Sequence, residues 1–147
     1  MAALSDYLEN KLIDQLFRAQ AYSFPATLYV GLYTVTPADA GGGTEVTGGA
    51  YARVAVVSSL ANWAGTQAAA STTASSGTNG TTSNNAAVTF PAPSGANWGS
   101  IVAFGIFDAA SAGNLLVWGP LTAAKNVNNG DAAPTFPIST LQFQIDN

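Results

Sequence analysis

The sequence contains no cysteine and no histidine. Without cysteine there are no disulfides, no thiolate metal sites and no thiol nucleophile. Without histidine, the commonest general base and the commonest metal ligand are missing as well. Charge is the third shortage: Asp, Glu, Lys and Arg make up 8% of 147 residues, where about 25% is ordinary for a soluble domain. The four cations, Lys11, Arg18, Arg53 and Lys125, are scattered, and the formal net charge is −4. A nucleic-acid binder needs a clustered basic face to release counterions from phosphates, so neither DNA nor RNA is expected as a partner, and no anionic membrane either. No run approaches the roughly eighteen apolar residues of a membrane span. The stretch from Met1 to Asp6 has neither the basic region nor the apolar run of a signal peptide, so synthesis in the cytoplasm without export is the expectation.

Mixed surface charge normally keeps small domains apart in solution. A chain this poor in charge must either cover itself with Ser, Thr, Asn and Gly or bury part of its surface in an assembly. The length suits one domain over residues 1–147, with a core of its own. The eight carboxylates are Asp6, Glu9, Asp14, Asp39, Glu45, Asp108, Asp131 and Asp146. Glycoside hydrolysis needs two of these facing across a cleft with one pKa raised, yet most fall on a helix or in Gly- and Pro-rich turns. Asp108 stands out because it follows a very apolar run, but an Asp opening a turn usually caps backbone N–H groups there. The dense acidic spacing of a calcium loop is absent. Gly41 to Gly49 is Gly-rich without the Gly-Lys-Ser/Thr ending of a phosphate loop, and reads as a flexible connection. No catalytic residue, cofactor or metal is expected.

One helix is legible, over residues 5–20. Ser5 can cap it and Asp6 and Glu9 complement its dipole. Leu4, Leu8, Leu12 and Leu16, with Ile13 and Phe17, recur at three- and four-residue steps as an apolar stripe. Such a stripe either packs on the chain's own sheet or docks on a neighbouring subunit. Beyond Pro25 the pattern is that of strands: residues 27–34, 51–57, 86–90, an apolar central strand at 101–107, and 115–118 as its hairpin partner. Gly113 and Asn114 suit positive φ in the intervening turn, and Gly119-Pro120 should break the second strand before another at 121–127. Asn128 to Asp131 reads as a tight turn. The final run places Leu141, Phe143 and Ile145 on one inward face. Residues 64–85, all Ala, Ser, Thr, Gly, Asn and Gln with no charge, read as a long flexible surface loop.

Six to eight short strands after one leading helix predict a mainly β fold, an antiparallel β-sandwich or jelly roll with one N-terminal amphipathic helix. Trp63, Trp98 and Trp118 are then expected in the core or against the sheet, with sugar stacking by one of them as the alternative. Exposure logic nominates Tyr7, Leu8 and Phe17 on the helix, Arg53, and Thr72 and Asn79 in the long loop as protein-contact residues.

Several segments resemble a family of small bacteriophage virion proteins commonly labelled phage tail fibre proteins. They are Leu4-Ser-Asp-Tyr-Leu-Glu-Asn-Lys-Leu12, Leu16-Phe-Arg18, Pro25-Ala-Thr-Leu-Tyr-Val-Gly-Leu-Tyr33, Gly42-Gly-Thr-Glu-Val-Thr-Gly-Gly49 and Tyr51-Ala-Arg-Val-Ala-Val56. Asn97-Trp-Gly99, Phe104-Gly-Ile-Phe-Asp-Ala-Ala110, Gly113-Asn-Leu-Leu116 and Lys125 follow in order. The resemblance implies a non-enzymatic virion structural protein, tail-associated, whose partners are other virion proteins and copies of itself in a homo-oligomer. A capsid decoration (cement) protein, a carbohydrate-binding receptor module and a hydrolase are the alternatives. A fibre shaft requires heptads, collagen-like triplets or a β-repeat, and no such period is present, so a knob, adaptor or decoration subunit fits better than a shaft.

Overall fold

The helix forms where its cap and charges place it. In the computed structural model, which describes residues 2–145, α1 spans Asp6–Arg18. The Ser5 side chain accepts a hydrogen bond from the Leu8 N–H at 3.3 Å, and its hydroxyl donates to the Leu115 carbonyl. The Ser5 N–H donates to the Leu116 carbonyl at 2.9 Å. The N-cap thus stitches the helix to a strand as well as satisfying its free N–H groups. At the other end Ala19 turns left-handed with φ 53°, and Arg18 pairs with Asp14 one turn back at 2.8 Å.

The strands are β1 (Ala3–Leu4), β2 (Thr27–Val35), β3 (Thr44–Glu45), β4 (Val54–Val57), β5 (Thr81–Ser83), β6 (Val88–Thr89), β7 (Gly99–Phe107), β8 (Leu115–Val127), β9 (Thr135–Phe136) and β10 (Gln142–Gln144). Six of them make one antiparallel sheet in the order β1-β8-β7-β2-β3, with β4 also paired to β2. Two antiparallel ribbons, β10-β5 and β6-β9, form the remaining pairs. The molecule is mainly β and antiparallel with one helix near its start.

Alternation along β2 and β7 sends Val30, Leu32, Phe104 and Ile106 to one face of the sheet. There they meet Val88, Phe90, Trp98, Val127 and Leu141 in the main core, so the two ribbons and their loops supply the second layer. Tyr33, Ala103 and Phe107 face the other way and form a smaller cluster with Tyr29 and Leu115. The sheet centre, β7, is buried on both sides from Ala103 through Phe107, as its unbroken apolar run predicts.

Several expectations are corrected. Gly119-Pro120 does not end a strand: β8 runs on to Val127. Pairing shifts between Ile101–Lys125 and Ala103–Pro120, so residues 121–124 of β8 oppose only Val102. Proline, which cannot donate to a ladder, is tolerated at such an irregularity. The connection at residues 41–49 contains β3 and the buried Val46 and is therefore not merely flexible. The tract at 64–85 ends in β5, and Ala64, Ser83 and Asn84 are buried. Its middle folds around Gln67, whose side chain bonds Ser71, Thr73, the Ala74 carbonyl and the Ser76 N–H.

Asn84, wholly buried, donates to the carbonyls of Ala86 and Pro137 at 2.8 Å each and accepts from the Leu141 N–H at 2.9 Å. Composition hides this, because a polar side chain stabilises a chain crossing only once its partners are in place. In the turn after β7, positive φ falls on Ala112 and Gly113, not Asn114. Of the last run, Leu141 is buried and Phe143 half-buried, but Ile145 is exposed rather than inward. Asp146 lies outside the described residues.

Candidate interaction surface

On the outer face of the sheet, Gly31 and Gly105 are direct cross-strand partners. Aromatic rings lie over both positions. A Cβ on Gly105 would come within 2.8 Å of the Tyr33 ring, and one on Gly31 within 3.0 Å of Phe107. Tyr33 and Phe107 stack with centroids 6.2 Å apart, and the Arg53 guanidinium lies over the Phe107 ring at 3.3 Å. Arg53 also forks onto Glu45, with Nε to Oε1 at 2.8 Å and Nη2 to Oε2 at 2.7 Å, and donates to the Ala109 and Ala112 carbonyls at 2.8 Å each. The Tyr51 hydroxyl donates to Glu45 at 2.9 Å and accepts the Leu32 N–H at 2.8 Å.

This cluster is saturated: the Arg53 side chain is only 7% exposed, and its donors serve the chain's own turn and carboxylate. Burial, with Glu45 nearby, pushes the Tyr33 hydroxyl up to about 12, and burial also raises Tyr51. Both stay neutral at ordinary pH.

At the other end of the inner face lies the opposite arrangement. An apolar groove of about 410 Å³ runs between α1, the segment after it and the last strand. Leu8, Leu12, Phe24, Trp63, Phe143 and Ile145 are among its walls, and no charged residue lines it. Tyr22 and Phe24 meet edge to face at 4.8 Å, and Tyr22 meets Tyr7 at 6.3 Å; these contacts lead the chain back along the helix. Trp63 presents a buried indole N–H with no hydrogen-bond partner among the described residues. The helix stripe divides here. Leu8 and Leu12 face the groove and are half-buried, whereas Ile13, Leu16 and Phe17 are 50%, 75% and 77% exposed. Phe24 at 58% and Ile145 at 68% extend the same apolar border.

The nominated contact residues therefore scatter. Tyr7 and Leu8 pack partly on the chain's own core, Phe17 projects to solvent, Arg53 is folded inward, and Thr72 and Asn79 are exposed on the long loop. The groove itself escaped sequence reading, because its walls come from seven separated segments. One signal was available: at 100° per residue, Ile13 and Phe17 lie roughly 140–180° round the helix from Leu8, too far for one face to bury both.

The carboxylates are mostly engaged in local structure. Asp108 accepts from the Asn114 N–H and side-chain amide at 2.7 Å each, Asp131 from the Asn128 N–H at 2.7 Å, and Asp39 from the Trp118 indole at 3.1 Å. Trp98 is buried, its indole donating to the Gly49 carbonyl at 2.8 Å, whereas Trp63 and Trp118 are half-buried. Among the described residues no three acidic side chains cluster as metal ligands, and no helix is long and apolar enough to cross a membrane.

No curated protein matches the chain. A family model does, that of the podophage GP4 fiber I protein gp80, and the match runs over residues 3–144. That span takes in the helix, every strand, the saturated cluster and all of the groove but Ile145, so the chain belongs to the podophage GP4 fiber I protein gp80 family of phage fibre proteins.

Proposed function

We propose that the protein is a non-enzymatic virion subunit, tail-associated, working as one domain of knob or adaptor type through protein–protein contacts. The observation that carries this reading is the charge-free groove with its exposed apolar rim, Phe24 and Ile145. Large contiguous apolar patches on a soluble domain mark interaction sites, and the polar groups on this one's walls are few: Tyr22, Ser58, Thr82 and the Trp63 indole. Membership of a phage fibre family supports placing those contacts in a virion. The partners are other virion proteins and copies of the chain, with Phe17 and the exposed loop residues Thr72 and Asn79 as contact points. Tyr7 and Leu8 lie beside this surface, whereas Arg53 belongs to the cluster on the other face of the sheet, where the exposed rim of that cluster is the contact it would serve.

A nucleic-acid role has little to stand on. Two of the four cations are committed to Asp14 and Glu45, and Lys11 lies 5.6 Å from the Tyr7 ring. The test is reconstruction of the intact phage particle. Density for this fold on the tail is the expected result, and density at head lattice positions would overturn the tail assignment in favour of a cement role.

A further inference from the structure

We propose that Asn79 is a self-modification site: in the folded chain its side-chain amide is lost to attack by the Gly80 backbone, leaving isoaspartate or aspartate, while the same step at Asn129 is held shut. The chain has two Asn-Gly steps, Asn79-Gly80 and Asn129-Gly130. Glycine makes the step reactive, because a residue without Cβ lets its nitrogen approach the preceding side chain closely, and the attack is intramolecular. The Gly80 nitrogen gives up its proton and bonds to Cγ of Asn79, closing a five-membered imide. The Cγ–Nδ2 bond breaks and the nitrogen leaves as ammonia. Water then opens the ring at either carbonyl. Opening at the main-chain carbonyl leaves isoaspartate, with the backbone routed through the side chain, and opening at Cγ leaves aspartate. Neither step oxidises or reduces any group.

Local structure separates the two sites. Both asparagines are exposed, and each side-chain carbonyl accepts one hydrogen bond. For Asn79 the donor is the Thr78 hydroxyl at 3.0 Å, and for Asn129 it is the Gly95 N–H at 2.8 Å. The difference lies in the nucleophile. The Gly130 N–H donates to the Pro93 carbonyl at 3.0 Å, and the Asn129 N–H donates to the Asn97 side chain at 2.8 Å. The proton that must leave is therefore engaged, and the turn is pinned on both sides of the reacting bond. Among the described residues, the Gly80 N–H has no hydrogen-bond partner and Asn79 is bonded only by the Thr78 and Thr81 hydroxyls.

The position gives the reaction a structural consequence, whatever the groove binds. The Gly80 carbonyl accepts the Ile145 N–H at 3.0 Å, beside the Gln144–Thr81 pair that begins the β10-β5 ribbon. Ile145 stands on the rim of the apolar groove. Isoaspartate adds a backbone carbon just ahead of that carbonyl and shifts it, and the new carboxylate adds to a net charge of −4.

The test is to age the freshly purified chain at neutral and at mildly alkaline pH and follow both sites by peptide-mass mapping, with isoaspartyl methyltransferase labelling to tell isoaspartate from aspartate. Conversion at Asn79 should outpace that at Asn129 by ~10-fold or more, the factor expected when the hydrogen bonds around Gly130 must open first. It should quicken as pH rises, because the attacking nitrogen must lose its proton. A guanidinium-unfolded sample is the control: with those bonds gone, the two sites should agree within ~3-fold. Equal rates in the folded chain overturn the proposal, as does a folded Asn79 still intact once the unfolded chain has been converted. A preference for Asn79 that persists unchanged on unfolding also overturns it, since the folded turn would then not be what protects Asn129. The Ile145 amide resonance reads the consequence. It should move in the aged chain relative to a fresh Asn79→Asp chain, which carries the charge without the extra backbone carbon, and an unmoved resonance overturns the link to the groove rim.

Discussion

The two ends of the β-sheet handle apolar surface in opposite ways. On the outer face, Phe107 and Tyr33 are roofed by Arg53, which Glu45, Tyr51 and two turn carbonyls hold in place. At the groove, Leu8, Leu12, Phe24 and Trp63 are left without a roof, and the adjoining helix surface projects Leu16 and Phe17. In a chain with four cations, committing one to an internal cluster is a large share of the available charge. A guanidinium suits that task because its planar fork covers a ring and pairs a carboxylate together. The contrast separates surface finished within the chain from surface left for another.

The sharpest way to break this comparison is Arg53→Met. If the outer cluster is internal structure, removing the cation leaves Glu45 largely buried and two carbonyls unpaired. The expected loss is about 3 kcal/mol in urea unfolding, with faster amide exchange in the turn at 109–112. Arg53→Lys should recover only part of it, since one ammonium cannot reproduce the fork. A neutral Arg53→Met would mean that this face, too, is finished by a partner.

Gly105→Ala comes next, at about 2 kcal/mol by thermal or urea unfolding. The added methyl meets the Tyr33 ring and Leu115 at 2.8–2.9 Å, and one of them must move. Alkaline titration tests the same face by another route. Burial holds the folded Tyr33 hydroxyl up at about 12 against its ordinary 10.0, and burial raises Tyr51 too. Between those limits the unfolded chain loses protons that the folded chain keeps. Stability is therefore fully present below pH 10 and falls above it, by about 1.4 kcal/mol per pH unit for each such tyrosine. Tyrosinate absorbance should show these groups ionising late, and titration of all five tyrosines near pH 10 would refute the burial.

Phe17→Ser should have the smallest effect on folding, within about 0.5 kcal/mol, because nothing in the chain rests on that ring. A loss above ~2 kcal/mol by the same unfolding assay would show that Phe17 belongs to the core.

Much of this was legible beforehand. Ser5, Asp6 and Glu9 announce the helix start, and the apolar run at 101–107 announces a central strand, since capping and alternation are local properties. Asn128 to Asp131 forms its turn with the Asp131 carboxylate bonded to the Asn128 N–H, again within reach of four residues. The misreadings share another origin. Pro120 looks like a strand break because the irregularity that accommodates it belongs to the pairing with Val102, not to its own neighbours. Ile145 looks inward by alternation, but whether a face is covered depends on what lies opposite. Arg53 reads from the sequence as an ion pair or a rim contact, and only the approach of β3 and the 109–112 turn supplies its partners and buries it.

The sequence by itself determined the mainly antiparallel β class, the single leading helix and the shortage of charge, because patterning, caps and composition act over a few residues, and its segments carry the family resemblance. Tertiary structure alone decided which apolar residues stay open. Burial is a property of pairs of surfaces, and Leu8, Leu12, Phe24, Trp63 and Ile145 become a groove only when distant segments are brought together on the sheet.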